Sequence, residues 1–113
     1  MKLTCHCGNI ELTAAYVPQE IANCNCSICR RYAASWAYYE PKDVNISHTQ
    51  KASGAYIWGD KEVAFHHCTL CGCITHYVTT DKCDANVTAI NMCMADNEIK
   101  DAIPVRKIDG AVY

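Results

Sequence analysis

The stretch Glu62-Val63-Ala64-Phe65-His66-His67-Cys68-Thr69-Leu70-Cys71-Gly72-Cys73-Ile74-Thr75-His76-Tyr77-Val78 reads as strand, turn, strand. Residues 62–67 and 74–78 are short and rich in β-branched and aromatic side chains, and the cysteines fall where the chain must turn. A Cys-x-x-Cys pair sets two thiolates on one side of a tight turn, within reach of one ion. Gly72 follows as the turn residue that lets backbone amides face the sulfur atoms.

Strand signals continue on both sides. Residues 55–58 stop at Gly59-Asp60, a turn signal, so 62–67 is expected to return as their partner. Residues 9–17 alternate, with Ile10, Leu12, Ala14 and Tyr16 on one face. Further short strands are expected at 35–39, 44–46 and 86–91, with a last edge strand at 104–108. The one convincing helical turn covers 28–34, directly after another cysteine cluster. Six or more short strands with turns between them predict an all-β fold. With 113 residues and no repeat, low-complexity run or linker, residues 1–113 are expected to form one domain.

Half of the residues are hydrophobic, a figure that cysteine and tyrosine inflate. The core is therefore small, and metal crosslinks would help to hold it. A net charge of −2 without a basic stripe argues against a nucleic-acid partner. The apolar runs are too short to span a membrane. Met1-Lys2-Leu3-Thr4-Cys5 lacks the apolar run of a signal peptide. Ten cysteines in that context point to metal in a reducing compartment, hence to a cytoplasmic protein. The competing reading is a secreted disulfide scaffold, but Cys-x-Cys neighbours fit disulfide geometry badly.

Eight of the ten cysteines lie in three clusters: Cys5 and Cys7; Cys24, Cys26 and Cys29; and Cys68, Cys71 and Cys73. Cys5, Cys7, Cys68 and Cys71 make a complete four-thiolate zinc site, closed to substrate, whose role would be folding. Its halves lie about 60 residues apart, and a long loop is where a crosslink gains most in theory. Cys24, Cys26 and Cys29 make a three-thiolate set. Three ligands and a vacant fourth position is the arrangement of catalytic zinc. Alternatively a fourth residue closes this site as well, with Cys73 the first candidate and Cys93, Cys83 and His76 behind it.

Three thiolates leave a zinc centre with one net negative charge, a weaker Lewis acid than zinc on three histidines. Such a centre suits an incoming sulfur ligand, which loses its proton on coordination. Handling of a small thiol or thiol adduct follows. Arg30 and Arg31 either offset the charge and bind a carboxylate of the thiol, or are two solvated helix-turn arginines. Cys83 and Cys93 stand alone, and a lone cysteine is more often a buried small side chain than a ligand. His66, His67 and His76 are weighed as sheet or core histidines, with His76 also able to line a pocket. Trp36, Tyr38, Tyr39, Tyr56, Trp58 and Tyr77 are core or sheet-face aromatics, some of which could wall such a pocket.

The order Cys5-His6-Cys7-Gly8, Cys24-Asn25-Cys26-Ser27-Ile28-Cys29-Arg30-Arg31, Cys68-Thr69-Leu70-Cys71-Gly72 resembles the glutathione-dependent formaldehyde-activating enzyme family, which includes centromere-protein-V-like proteins. The resemblance continues in Trp36-Ala37-Tyr38-Tyr39, His66-His67, Cys73-Ile74-Thr75-His76-Tyr77 and Ile90-Asn91-Met92-Cys93, and it covers nearly the whole chain. It implies a β-tent fold of small antiparallel sheets, a structural zinc on Cys5, Cys7, Cys68 and Cys71, and a labile catalytic zinc on Cys24, Cys26 and Cys29. It also implies glutathione as partner and condensation with formaldehyde to S-hydroxymethylglutathione, classed as a carbon–sulfur lyase activity. Cys73 extends the third cluster beyond the family's core motif. The rival reading is a non-catalytic, zinc-stapled binding module. A thiol-redox role for Cys24 to Cys29 lacks the βαβ context it would need.

Overall fold

The computed structural model describes residues 1–112, so Tyr113 of the expected domain lies outside the described residues. Ten short strands dominate. In chain order they are β1 (Lys2–Thr4), β2 (Ile10–Ala14), β3 (Ile21–Cys24), β4 (Trp36–Tyr39), β5 (Val44–His48), β6 (Gly54–Ile57), β7 (Val63–His67), β8 (Ile74–Thr79), β9 (Thr88–Asn91) and β10 (Val105–Ile108). The α-helices α1 (Ser27–Tyr32) and α2 (Asn97–Lys100) are one to two turns long.

The strands form two sheets. The smaller runs β1-β2-β5 and the larger β10-β3-β4-β9-β8-β7-β6. All pairs are antiparallel except β10 with β3, which is parallel and sets Ile108 beside Cys24. The all-β class expected from the sequence is the class observed. The larger sheet differs from the small antiparallel sheets expected: it has seven strands, and its edge strand β10 joins in parallel.

Alternation explains how one sheet serves two apolar layers, because successive side chains of a strand face opposite sides. On β2, Ile10, Leu12 and Ala14 point inward, and with Leu3 of β1 they meet Ile21, Ala37 and Ile90 of the larger sheet. The other face of that sheet carries Trp36 and Ala89, the neighbours of Ala37 and Ile90, which pack with Phe65, Ala34 and Cys29. Strand β9 lies in the middle of the larger sheet and is buried at every residue. The first layer joins the sheets; the second supports the middle cysteine cluster. Tyr16 departs from its expected place on the inward face, because β2 ends at Ala14. It is exposed, its ring lies 5.0 Å from that of Tyr39, and its carbonyl accepts the Tyr39 hydroxyl.

Candidate metal centres

Two cysteine groups converge among the described residues. The sulfur atoms of Cys5, Cys7, Cys68 and Cys71 lie within 4.8 Å of one another, and so do those of Cys24, Cys26 and Cys29.

The first group is built from two similar turns. Gly8 and Gly72 each follow the second cysteine of their pair with φ of +81° and +82°, a left-handed conformation that glycine adopts without steric cost. Each closes its turn by donating its N–H back to the first cysteine, Gly8 to the Cys5 carbonyl and Gly72 to the Cys68 carbonyl. The folded-back chain turns donors toward sulfur: Ile10 N–H to Cys5 Sγ at 3.3 Å, Leu70 N–H to Cys68 Sγ at 3.4 Å and Asn9 Nδ2 to Cys68 Sγ at 3.5 Å. The Cys7 sulfur stands 3.7 Å from both Cys5 and Cys68. These sulfurs do not ionise alike. The backbone N–H of Cys73 leads the influences that draw Cys71 down to about 5, against the pull of desolvation. For Cys7 the Asn9 N–H acts in the same direction, but desolvation and the sulfurs of Cys5, Cys68 and Cys71 push it up to about 12. Thiolates this close repel, and a cation relieves that repulsion.

The second group sits where β3 runs into α1. Cys24 ends the strand, Cys26 is the N-cap of the helix and Cys29 lies on its buried side. The Cys26 sulfur accepts the Cys29 N–H at 3.4 Å, the bond an N-cap side chain makes. Desolvation works against ionisation of Cys26, yet the Cys29 N–H and neighbouring sulfurs bring its pKa below the ordinary thiol value. Burial, reinforced by Cys26, pushes Cys29 up to about 12.

The surroundings of the three sulfurs differ. Cys26 borders a cleft of about 730 Å³ whose other walls include Arg30, Trp58, Asp60, Glu62 and Phe65. A second cleft of about 420 Å³ adjoins it across Ile28 and Trp58, with Arg31, Tyr32 and Tyr56 on its walls. Cys24 lies under the C-terminal turn: a side chain at Gly110 would overlap its sulfur. Asn25, between the two cysteines, holds that turn. Its Nδ2 donates to Asp109 at 2.8 Å, its Oδ1 accepts the Ala111 N–H at 3.0 Å and its own N–H donates to the Ile108 carbonyl. Cys29 packs against Trp36 and Phe65.

Several residues weighed for this site lie elsewhere. Cys73 does not join the second group. It follows the left-handed turn at Gly72 and sits beside Cys71, Cys5 and the backbone of His6, at the first group. Cys93 is exposed, with its sulfur 3.6 Å from the Ala33 carbonyl, and Cys83 is half-buried in the turn after β8. No fourth histidine, cysteine or acid joins Cys24, Cys26 and Cys29 among the described residues. His76 borders neither cleft. It is buried, its ring stacks on His66 at 4.5 Å and its Nδ1 lies 2.8 Å from the Thr75 hydroxyl. The neighbouring pair Phe65 and Tyr77 packs in the layer that supports Cys29, so the His66–His76 pair faces the opposite way. Of the two arginines, Arg30 lines the larger cleft, while Arg31 ties back to the Ser27 carbonyl at 2.7 Å.

Sequence reasoning missed Asn25 and Gly110 because the parallel pairing of β10 with β3 joins segments more than eighty residues apart (86 between Asn25 and Ala111). It grouped Trp36 with core or sheet-face aromatics that could wall a pocket, without giving it a role at the sulfurs. The indole is buried, and its Nε1 has no hydrogen-bond partner. That N–H makes no hydrogen bond of ordinary geometry, yet it approaches the Cys29 sulfur closely enough to oppose the upward push of burial. A lone buried donor turned toward a cluster of sulfurs fits a site built to hold thiolates around a cation.

The sequence profile of the family described as glutathione-dependent formaldehyde-activating enzyme matches residues 1–108. The chain belongs to that family. No functionally curated protein matches the chain. A crystal structure of a Rhodobacter sphaeroides protein is similar to it in fold, with a TM-score of 0.76 over 94% of this chain and 100% of that one. The two are 23% identical, a level that speaks to fold alone. No helix among the described residues is long and apolar enough to cross a membrane.

Proposed function

We propose that this family member is a zinc-dependent enzyme of carbon–sulfur lyase type, working on glutathione or a glutathione adduct such as S-hydroxymethylglutathione. Cys5, Cys7, Cys68 and Cys71 would hold a structural zinc, and Cys24, Cys26 and Cys29 a labile catalytic one. The observation that carries the reading is the contrast between the groups: four sulfurs packed together in one, and three in the other with Cys26 at the edge of a cleft of about 730 Å³. Residues 1–113 would act as one domain in the cytoplasm, where thiols stay reduced.

A zinc ion held by Cys24, Cys26 and Cys29 would supply a position at which an incoming thiol sulfur could lose its proton. The chain's own residues supply the rest. Arg30 stands in the cleft where a planar guanidinium can grip a carboxylate of the thiol. Asp60 and Glu62 on the same walls suit an ammonium group. Trp58, Val63 and Phe65 line the cleft with apolar surface and limit the water beside the sulfur. The net reaction adds the thiol S–H across the formaldehyde C=O: a carbon–sulfur bond forms as the carbonyl π bond opens, and the thiol proton ends on the new hydroxyl oxygen. No oxidant or reductant is needed. The uncatalysed addition is easy, so the gain comes from holding the two reactants together.

The test is zinc per chain by elemental analysis, before and after a millimolar glutathione wash and gel filtration, followed by NMR detection of the hydroxymethyl adduct from formaldehyde. A count near two that falls toward one, with adduct formed faster than in buffer, is expected. A steady count of two without acceleration overturns the reading and leaves a zinc-stapled binding module.

A further inference from the structure

Trp36 carries the one buried side-chain nitrogen or oxygen among the described residues without a hydrogen-bond partner. Its ring is 1% exposed, so water does not offer itself as a substitute. An unsatisfied buried donor is costly, and each such group in a folded protein calls for a reason. The indole has little freedom to escape. It meets Tyr77 edge to face at 4.9 Å and Phe65 at 6.1 Å, while its backbone is paired with Ala22 of β3 and Asn91 of β9. Cys29 is packed in the same apolar cluster. Ala22 lies two residues before Cys24, so one strand register places the indole against the middle cysteine group.

A thiol sulfur is a weak acceptor, whereas a thiolate accepts strongly because charge shortens and strengthens the bond. We propose that Trp36 is a positioning residue for the second metal group, its indole N–H donating to the Cys29 sulfur once that sulfur is a metal-held thiolate. The orphan donor then has its partner only in the loaded protein. This rests on the reading of Cys24, Cys26 and Cys29 as a metal site. It divides the work among the three sulfurs: Cys29 is anchored from the apolar side, Cys24 lies under the Gly110 turn, and Cys26 is left toward the cleft. Partners of this kind orient ligands, and losing one typically costs about 10–100-fold in metal affinity.

Cadmium-113 is the probe. Protein labelled with nitrogen-15 is titrated with ¹¹³Cd²⁺ while cadmium and indole proton signals are followed, with Trp58→Phe assigning the two indoles. As the second cadmium resonance appears, the Trp36 indole proton is expected to move downfield and to couple to that cadmium through the N–H···S bond. Trp36→Phe is expected to weaken the second cadmium by about 10–100-fold and to leave the first unchanged. A second cadmium that binds while the indole proton neither moves nor couples overturns the inference and spares the metal site. No second cadmium at any concentration overturns the metal site itself, and the inference with it. The wild-type titration gives this answer even if Trp36→Phe fails to fold.

Discussion

Replacing one cysteine in each group by serine should separate folding from function. Cys7 and Cys68 are 61 residues apart, so an ion shared between their turns closes a long loop. Treated as a chain-entropy crosslink, closing a loop of that length stabilises the fold by about 4 kcal/mol. A domain of this size is stable by roughly 5–15 kcal/mol in total, so losing the staple removes a large share. Cys7 is the informative position because it is exposed. Cys7→Ser leaves no buried cavity, and its cost reports the lost ion. Cys26→Ser is the matched control. Serine is itself a good N-cap, so α1 keeps the bond that the Cys26 sulfur now accepts from the Cys29 N–H.

The assay is urea denaturation in a zinc buffer whose free zinc lies below the dissociation constant of the second group. There the second group is empty in the unaltered protein too, and its ion contributes no stability that Cys26→Ser could remove. Cys7→Ser should lose about 4 kcal/mol, a midpoint shift of more than about 1 M for a typical urea dependence. Cys26→Ser should stay within roughly 1 kcal/mol of the parent, as substitutions that break no buried feature do. Equal losses at the two positions would refute the division into a folding site and a working site. So would a larger loss for Cys26→Ser.

Two further outcomes follow from single side chains. Gly110→Ala sets a Cβ into the space of the Cys24 sulfur and 3.2 Å from the Cys26 Cβ; chelator competition should show the second ion held at least about tenfold more weakly with the first unchanged, and equal retention would refute the packing argument. Burial, helped by His66, holds His76 at about 3, well below its ordinary 6.5. Between those values the unfolded chain binds a proton that the fold refuses, so stability falls as pH falls from 6.5 toward 3. The loss is on the order of a few kcal/mol when complete. His76→Gln should flatten the pH dependence of the urea midpoint across that window, and an unchanged slope would show that His76 is not its source.

The hairpin of β6 and β7, the turn of cysteines and strand β8 were legible because local pattern and local structure coincide there. Gly59-Asp60 marks the turn and Gly72 the knuckle, and each strand pairs with its sequence neighbour. β1 and β3 were not. Lys2-Leu3-Thr4 and Ile21-Ala22-Asn23-Cys24 are too short to show a period, and each becomes a strand through the partner that long-range folding brings to it. Cys73 misled for the opposite reason, since proximity in sequence to Cys71 made it look spare for the other site. The left-handed turn at Gly72 keeps it beside the first group. His76 is the buried sheet histidine its strand position suggested, and the alternative of lining a pocket falls because Phe65 and Tyr77, one residue away on each strand, take the face that supports Cys29.

The two cysteine groups show what ligand identity alone leaves open. Both offer only sulfur, in tight spacing, next to a turn. What differs is what each ties together. The first joins β-turns from distant parts of the chain, with Cys5 and Cys68 buried in the layer between the sheets, so that an ion there would be part of the core. The second spans six residues of one strand–helix junction that the N-cap and the packing of Trp36 already define. An ion that holds little of the fold together can leave and return without unfolding it. That independence is the physical requirement for a metal whose coordination changes during a reaction, and the placement of Cys24, Cys26 and Cys29 within one local turn of chain would allow it.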